Sequence, residues 1–224
     1  MSGKQQANQR KRPVLSKEPR VKGIAGGRLE DSGLYRSISA TRERLTDQEA
    51  GLLTIEDALF VRVEFDGTRL RGPQLSDIRF DNCNFANARW DSPIAHRIEL
   101  IGCKLTGFSA FEGHFQDILI QGCKGDLAAF RFAKFRAARF ENCLLTEADF
   151  GGTDLSGSVF VNCDLRNAQM SGAVLDGVDL RGSNIEGMRV GAKELRGAIV
   201  DPVQAVELAR ILGIVVKWTN ETGT

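Results

Sequence analysis

All five cysteines of the chain, Cys83, Cys103, Cys123, Cys143 and Cys163, stand twenty residues apart. A finer period runs inside this ladder. From Phe60 to Val200, 26 of the 29 positions divisible by five are Leu, Ile, Val, Phe, Met or Trp, the exceptions being Ala95, Ala110 and Gly125. A step of five suits neither common element. An α-helix turns about 100° per residue, so the step makes no stripe, and in a strand it flips the side chain to the other face. It works only where the chain turns a corner between one inward residue and the next. Four right-angle corners close a coil in twenty residues, and the cysteines mark one column of that coil.

The unit is legible in Ala148-Asp149-Phe150-Gly151-Gly152, Thr153-Asp154-Leu155-Ser156-Gly157 and Val178-Asp179-Leu180-Arg181-Gly182. The large apolar residue fills the axis. The residue two before it also points inward and is small or apolar, as at Ala88, Ala128, Ala133, Ala138, Ala148, Ala168 and Ala173. Gly or Asn commonly follows, as at Asn162, Gly172 and Gly177, because tight turns tolerate them best. In these units the chain resembles the pentapeptide repeat proteins over residues 56–200. The resemblance implies an all-β solenoid, a right-handed quadrilateral β-helix. At twenty residues per coil it has about seven coils, stacked to about 34 Å at the ~4.8 Å strand spacing.

The expected organisation is a disordered basic tail at 1–22, an N-terminal cap at 23–55, the β-helix at 56–200, a helix–strand cap at 201–218 and a short tail at 219–224. Residues 1–22 hold Lys4, Arg10, Lys11, Arg12, Lys17, Arg20 and Lys22 against one acid, Glu18, with two prolines and no apolar pattern. Such a tail is either a solvated appendage or an electrostatic tether to nucleic acid or an anionic surface. In 23–55, Thr46-Asp47-Gln48-Glu49 fits a capping box, which predicts a short helix near 46–53. Leu29, Leu34 and Tyr35 would supply a first irregular strand. Asp201-Pro202 reads as a helix start. Ala205, Leu208, Ala209 and Leu212 share a helical face, Gly213 suits the C-cap, and Ile214, Val216 and Trp218 alternate as a short strand. The segment Leu195-Arg196-Gly197-Ala198-Ile199-Val200-Asp201-Pro202 is similar to the ending of many family members. Some of those dimerise at this end, so the resemblance leaves a monomeric lid or a homodimer joined through Leu208, Leu212, Ile214, Val216 and Trp218.

No apolar leader or membrane-length apolar run is visible, so a soluble cytoplasmic protein is expected. The cysteine column then reads as free buried thiols, with no cofactor and no metal. The middle of the rod is irregular. Ala110 lacks bulk while Phe108, two before it, is oversized, so the inward roles are exchanged. His96 and His114 fall as outward neighbours on adjacent coils, too few ligands for a metal site.

Arg131, Lys134, Arg136 and Arg139 lie in a stretch with no acid from Phe130 to Phe140. They form a candidate anion or nucleic-acid contact, although the interleaved phenylalanines point inward and cannot stack on bases. No nucleophile–base set, nucleotide loop or metal spacing is present, so a non-catalytic structural or protein-interaction module is expected, its partner unwritten. The resemblance implies one alternative. Some family members mimic duplex DNA, bind DNA gyrase and protect against fluoroquinolones, and here Asp149, Asp154 and Asp179 would be the mimicking acids. Against it, residues 62–140 hold twelve basic and nine acidic residues and residues 141–201 five and ten, so the charge changes sign along the rod.

Overall fold

The computed structural model describes residues 10–17 and 21–217. It is a parallel β-solenoid with one C-terminal helix, with about seven coils over the expected span. Each coil pairs in parallel with the next at a register of twenty residues, so Phe60 lies beside Phe80, Phe80 beside Leu100, Leu100 beside Ile120 and Phe140 beside Phe160. Five long strands, Leu34–Thr41, Thr54–Val61, Gln74–Asp81, Ile94–Ile101 and His114–Gln121, stack side by side and wrap two adjoining faces. Shorter strands Glu49–Gly51, Arg69–Arg71 and Arg89–Asp91 pair on a third.

Corners fall two residues after the axial positions, where, from Ser32 to Gly187, the backbone is left-handed. Glycine does this at Gly152, Gly172 and Gly177, and Asn at Asn82, Asn142 and Asn162. The same conformation is imposed on residues that disfavour it, such as Leu127 (φ 60°) and Phe132 (φ 57°). The two inward columns fill the core. Phe60 and Phe80 stack at 5.2 Å, Phe65 and Phe85 at 4.9 Å, and Phe140 and Phe160 at 4.5 Å. Edge-to-face contacts such as Phe60–Phe65 join neighbouring columns. Phe108 is buried and bridges Trp90 and Phe130, and Ala110 is buried beside it, so the exchange of roles holds. All five cysteines are buried and free. Hydrogen bonds with Cys123 and Cys83, together with burial, push the Cys103 thiol well above its usual range.

The N-terminal boundary differs from expectation. Leu34–Thr41 is a full solenoid strand in register with Thr54–Val61, so another coil precedes residue 56. The helix expected near 46–53 is absent; Asp47 turns a corner at φ 55°, and Glu49–Gly51 is a strand. The repeat hides here because its inward positions include Ala40, Glu43, Gln48 and Ala50. Glu43 accepts the Ile24 N–H, and Gln48 accepts the Leu29 N–H and donates to the Gly27 carbonyl. Ile24 and Leu29 are buried under the coil. Residues 21–33 are therefore the cap, and the polar inward pair of the first coil holds it.

The tail also departs from the disordered reading over 10–17, which run extended along the outside of the solenoid and bond to it. At the other end the helix Pro202–Ile211 forms with Asp201 as its N-cap. Its buried residues are Gln204 and Leu208, with Ile211 packed against the core, rather than the stripe through Ala205, Ala209 and Leu212. The expected strand at Ile214 and Val216 is irregular chain, where the Ile214 N–H donates back to the Ala209 carbonyl of the helix; Trp218 and the 219–224 tail lie outside the described residues.

Candidate interaction surface

The long strands turn from one face to the next at a left-handed residue, and these residues form a column: Ser37, Asp57, Asp77, Arg97, Asp117 and Ala137. Asp and Asn are the side-chain-bearing types that best tolerate this conformation, and three carboxylates come to stand one above another along the corner. Residues 10–17 lie across them. The Ser16 N–H donates to Asp57 Oδ1 at 2.7 Å and its hydroxyl to Oδ2 at 2.5 Å. The Val14 N–H donates to Asp77 Oδ1 at 2.9 Å, and the Lys11 N–H to Asp117 Oδ1 at 2.8 Å. Arg10 Nη2 reaches Glu99 Oε1 at 2.8 Å.

The corner is built to present these oxygens. Ser37 donates to Asp57 Oδ2 at 2.6 Å. Arg97, the one base in the column, grips Asp77 through Nε and Nη2 at 2.6 and 2.5 Å, a bidentate pair of the stronger kind. The Arg97 guanidinium holds the Asp77 carboxyl below the usual carboxylate range, helped by the Val14 N–H. Asp117 and Glu99 are buried, at 5% and 9% exposure. A buried carboxylate is costly without partners, and the crossing segment supplies one to each.

Of the basic cluster, Arg131 pairs with Asp149 at 3.1 Å and sits over the Phe132 ring, and Arg139 pairs with Glu141. Lys134 and Arg136 instead line a pocket of about 240 Å³ with His96, His114, Phe115 and Gln116. The two histidines are thus neighbours, but the four basic residues are not brought to one site. Among the described residues no group of three His, Cys, Asp or Glu is placed to hold a metal, and no helix is long and apolar enough to cross a membrane.

The acids Asp149, Asp154 and Asp179 are likewise dispersed, each pairing within a different strand column: Asp149 beside Ala129, Asp154 beside Lys134, Asp179 beside Val159. Each is also satisfied locally. Asp149 takes Arg131 and the Gly151 N–H, Asp154 takes the Ser156 N–H and hydroxyl, and Asp179 takes the Arg181 guanidinium through two bonds and the Arg181 N–H through a third. At the C-terminal end Leu208 is buried while Leu212 and Ile214 are exposed and Val216 half-buried; a cleft of about 680 Å³ between the helix and residues 183–186 is lined by none of the four.

Sequence reasoning missed the corner acids and the segment across them. The signal was present, since 57, 77, 97 and 117 keep the twenty-residue spacing of the cysteines. It was masked because acids on an outer face are what any soluble solenoid carries.

Residues 93–170 match the family described as pentapeptide repeat region. No curated protein matches the chain. Solved structures similar to it include QnrB1, a plasmid-mediated fluoroquinolone resistance protein, at 14% identity and a TM-score of 0.42, covering 88% of this chain and 97% of that one. Another is HetL, a pentapeptide repeat protein involved in heterocyst differentiation regulation from the cyanobacterium Nostoc sp. strain PCC 7120, at 17% identity and a TM-score of 0.29, covering 77% and 91%.

Proposed function

We propose that this pentapeptide-repeat solenoid is a non-catalytic interaction module that binds a protein partner through its outer surface. The observation that carries the reading is the corner column, where a rigid stack of coils holds an extended stretch of polypeptide through side-chain carboxylates. Repeat solenoids offer extended surfaces of this kind. The thiols are sealed in the core, which fits a reducing, cytoplasmic setting, and no cofactor is needed. Arg10 spends its charge on Glu99 of the solenoid and the backbone of residues 11–16 is bonded to it, which weighs against a nucleic-acid tether. The basic residues Lys134 and Arg136 remain the stronger candidates for an anion contact. The exposed Leu212 and Ile214 make the C-terminal end the place where two copies would meet, if the protein is not a monomer. Affinity capture with the intact chain tests the module: the folded protein should retain a stoichiometric protein partner from lysate, and an unfolded Phe140→Asp variant should not. Capture by neither, with an activity found on a small molecule, would overturn it.

The gyrase-directed reading ranks second. A DNA mimic needs a dense negative face in place of phosphates, and here Asp149, Asp154 and Asp179 sit on separate columns, two of them paired with arginines. Little inhibition of gyrase supercoiling is expected. Strong inhibition that weakens when the three become Asn would reverse the ranking.

A further inference from the structure

The proteins that fit the corner column are defined by the segment already on it. From the segment, three backbone N–H groups and one guanidinium reach the acids, with Ser16 adding a hydroxyl. Recognition through main-chain N–H groups tolerates many side chains; what it demands is an extended chain with free donors at the right residues. Charge supplies the rest, since the segment is Arg10-Lys11-Arg12 followed by Pro13, Val14, Leu15, Ser16 and Lys17, and the surface under it carries Asp57, Asp77, Glu99 and Asp117. Complementary charge steers encounter and rejects acidic competitors.

We propose that this corner is a docking groove for an extended, basic peptide segment of a partner protein, and that residues 10–17 are its resident occupant, held in cis. The inference rests on the reading of the protein as an interaction module and names the class of partner that module takes. A tethered occupant acts at high effective concentration. A partner segment must therefore displace it, and the groove is masked in the free protein. The buried state of Asp117 and Glu99 belongs to the masked form; either occupant satisfies them.

The contacts dictate the experiment. Proline has no N–H and favours the extended conformation, so the full-length variant Lys11→Pro/Val14→Pro/Ser16→Pro releases the occupant without touching the solenoid. The probe is a fluorescent peptide with the sequence of residues 10–17, with a peptide in which Glu replaces each Arg and Lys as control. By fluorescence anisotropy the probe should bind the triple-proline variant at least about ten-fold more tightly than the native chain, where the cis segment competes. Adding Asp57→Asn and Asp117→Asn to the released variant should weaken the probe about ten-fold, and the acidic control should bind neither. Circular dichroism and unreactive cysteines verify that each variant is folded. Absence of binding to the folded released variant overturns the groove, as does equal binding to native and released chains, or binding indifferent to the two Asn substitutions. Each of these outcomes would remove the corner column from the support of the module reading, but that reading stands or falls separately on the lysate capture, which tests every face of the rod.

Discussion

At position 140 the axis is a pair of parallel rings, Phe140 and Phe160, 4.5 Å apart, with Phe140 fully buried. One residue earlier Arg139 reaches solvent and pairs with Glu141. The Phe140→Asp variant places an unpaired charge in the core, and its urea midpoint should fall by the equivalent of several kcal/mol or the protein should not fold. Arg139→Gln loses a surface ion pair and should cost at most about 1 kcal/mol. Equal losses would mean the faces are misassigned. The corners offer a gain instead. Leu127 is held left-handed at φ 60° with its side chain exposed. Leu127→Asn relieves a conformation that costs an ordinary residue about 1 kcal/mol or more, so the midpoint should rise or stay, whereas a fall of 1 kcal/mol would show that the leucine packs. These inward and outward assignments were readable from the sequence, because packing imposes them at every fifth residue. That Leu127 and Phe132 also take the corner conformation was readable only by position, since their residue types argue against it.

At the scale of the element, the ends carry the information. Gln204 is buried at the base of the C-terminal helix. Its Oε1 accepts the Asp201 N–H, completing a capping box, and its Nε2 donates to the Leu180 and Ser183 carbonyls at 2.6 and 2.7 Å. It ties the helix to the last coil by donating to two of that coil's carbonyls. Gln204→Leu keeps the bulk but strands the Ser183 carbonyl and leaves the Leu180 carbonyl with the Ser183 N–H alone, so a loss of about 1–3 kcal/mol is expected in denaturant titration; an unchanged midpoint would mean water replaces the amide. The helix was legible from Asp201 and Pro202, but its buried face was not, because the sequence pattern ranks Ala205 and Leu212 above a glutamine. The same bias hid the first coil, whose inward Glu43 and Gln48 look like surface residues until the chain they hold is seen beneath them. The alternation of Ile214 and Val216 is a strand pattern that forms no strand over the described residues, and pairing partners are not written in local sequence.

At the scale of the molecule, stability should depend on pH in one direction. The carboxyls of Asp77, Asp164 and Asp179 are held below their usual range by Arg97, Arg166 and Arg181 respectively. A carboxylate depressed in the folded state stabilises fully above its unfolded pKa of about 3.9 and loses that contribution as pH falls through the folded value. Denaturant midpoints should therefore be level from neutral pH down to about 5 and fall below about 4. Arg181→Gln should shrink the fall, and a decline already under way at pH 6 would assign the loss to other groups. The fold as a whole was legible because one period governs most of the chain. The candidate groove was not, because it joins two stretches with unrelated patterns, a basic tail and a column of corner residues.

The corner and the chain lying on it are graduated in different units. Coils repeat at about 4.8 Å and an extended chain at about 3.3 Å per residue, so N–H groups and carboxylates coincide only at intervals, as marks do on a vernier. From Ser16 to Val14 two residues cross one coil, and from Val14 to Lys11 three residues cross two. The coil passed over in the longer interval is that of Arg97, which offers no carboxylate, and the interval contains Pro13, which offers no N–H. The silent mark on each scale falls in the same gap. Such a pair of scales measures length: a segment with its donors one residue closer together would meet the first acid and miss the next.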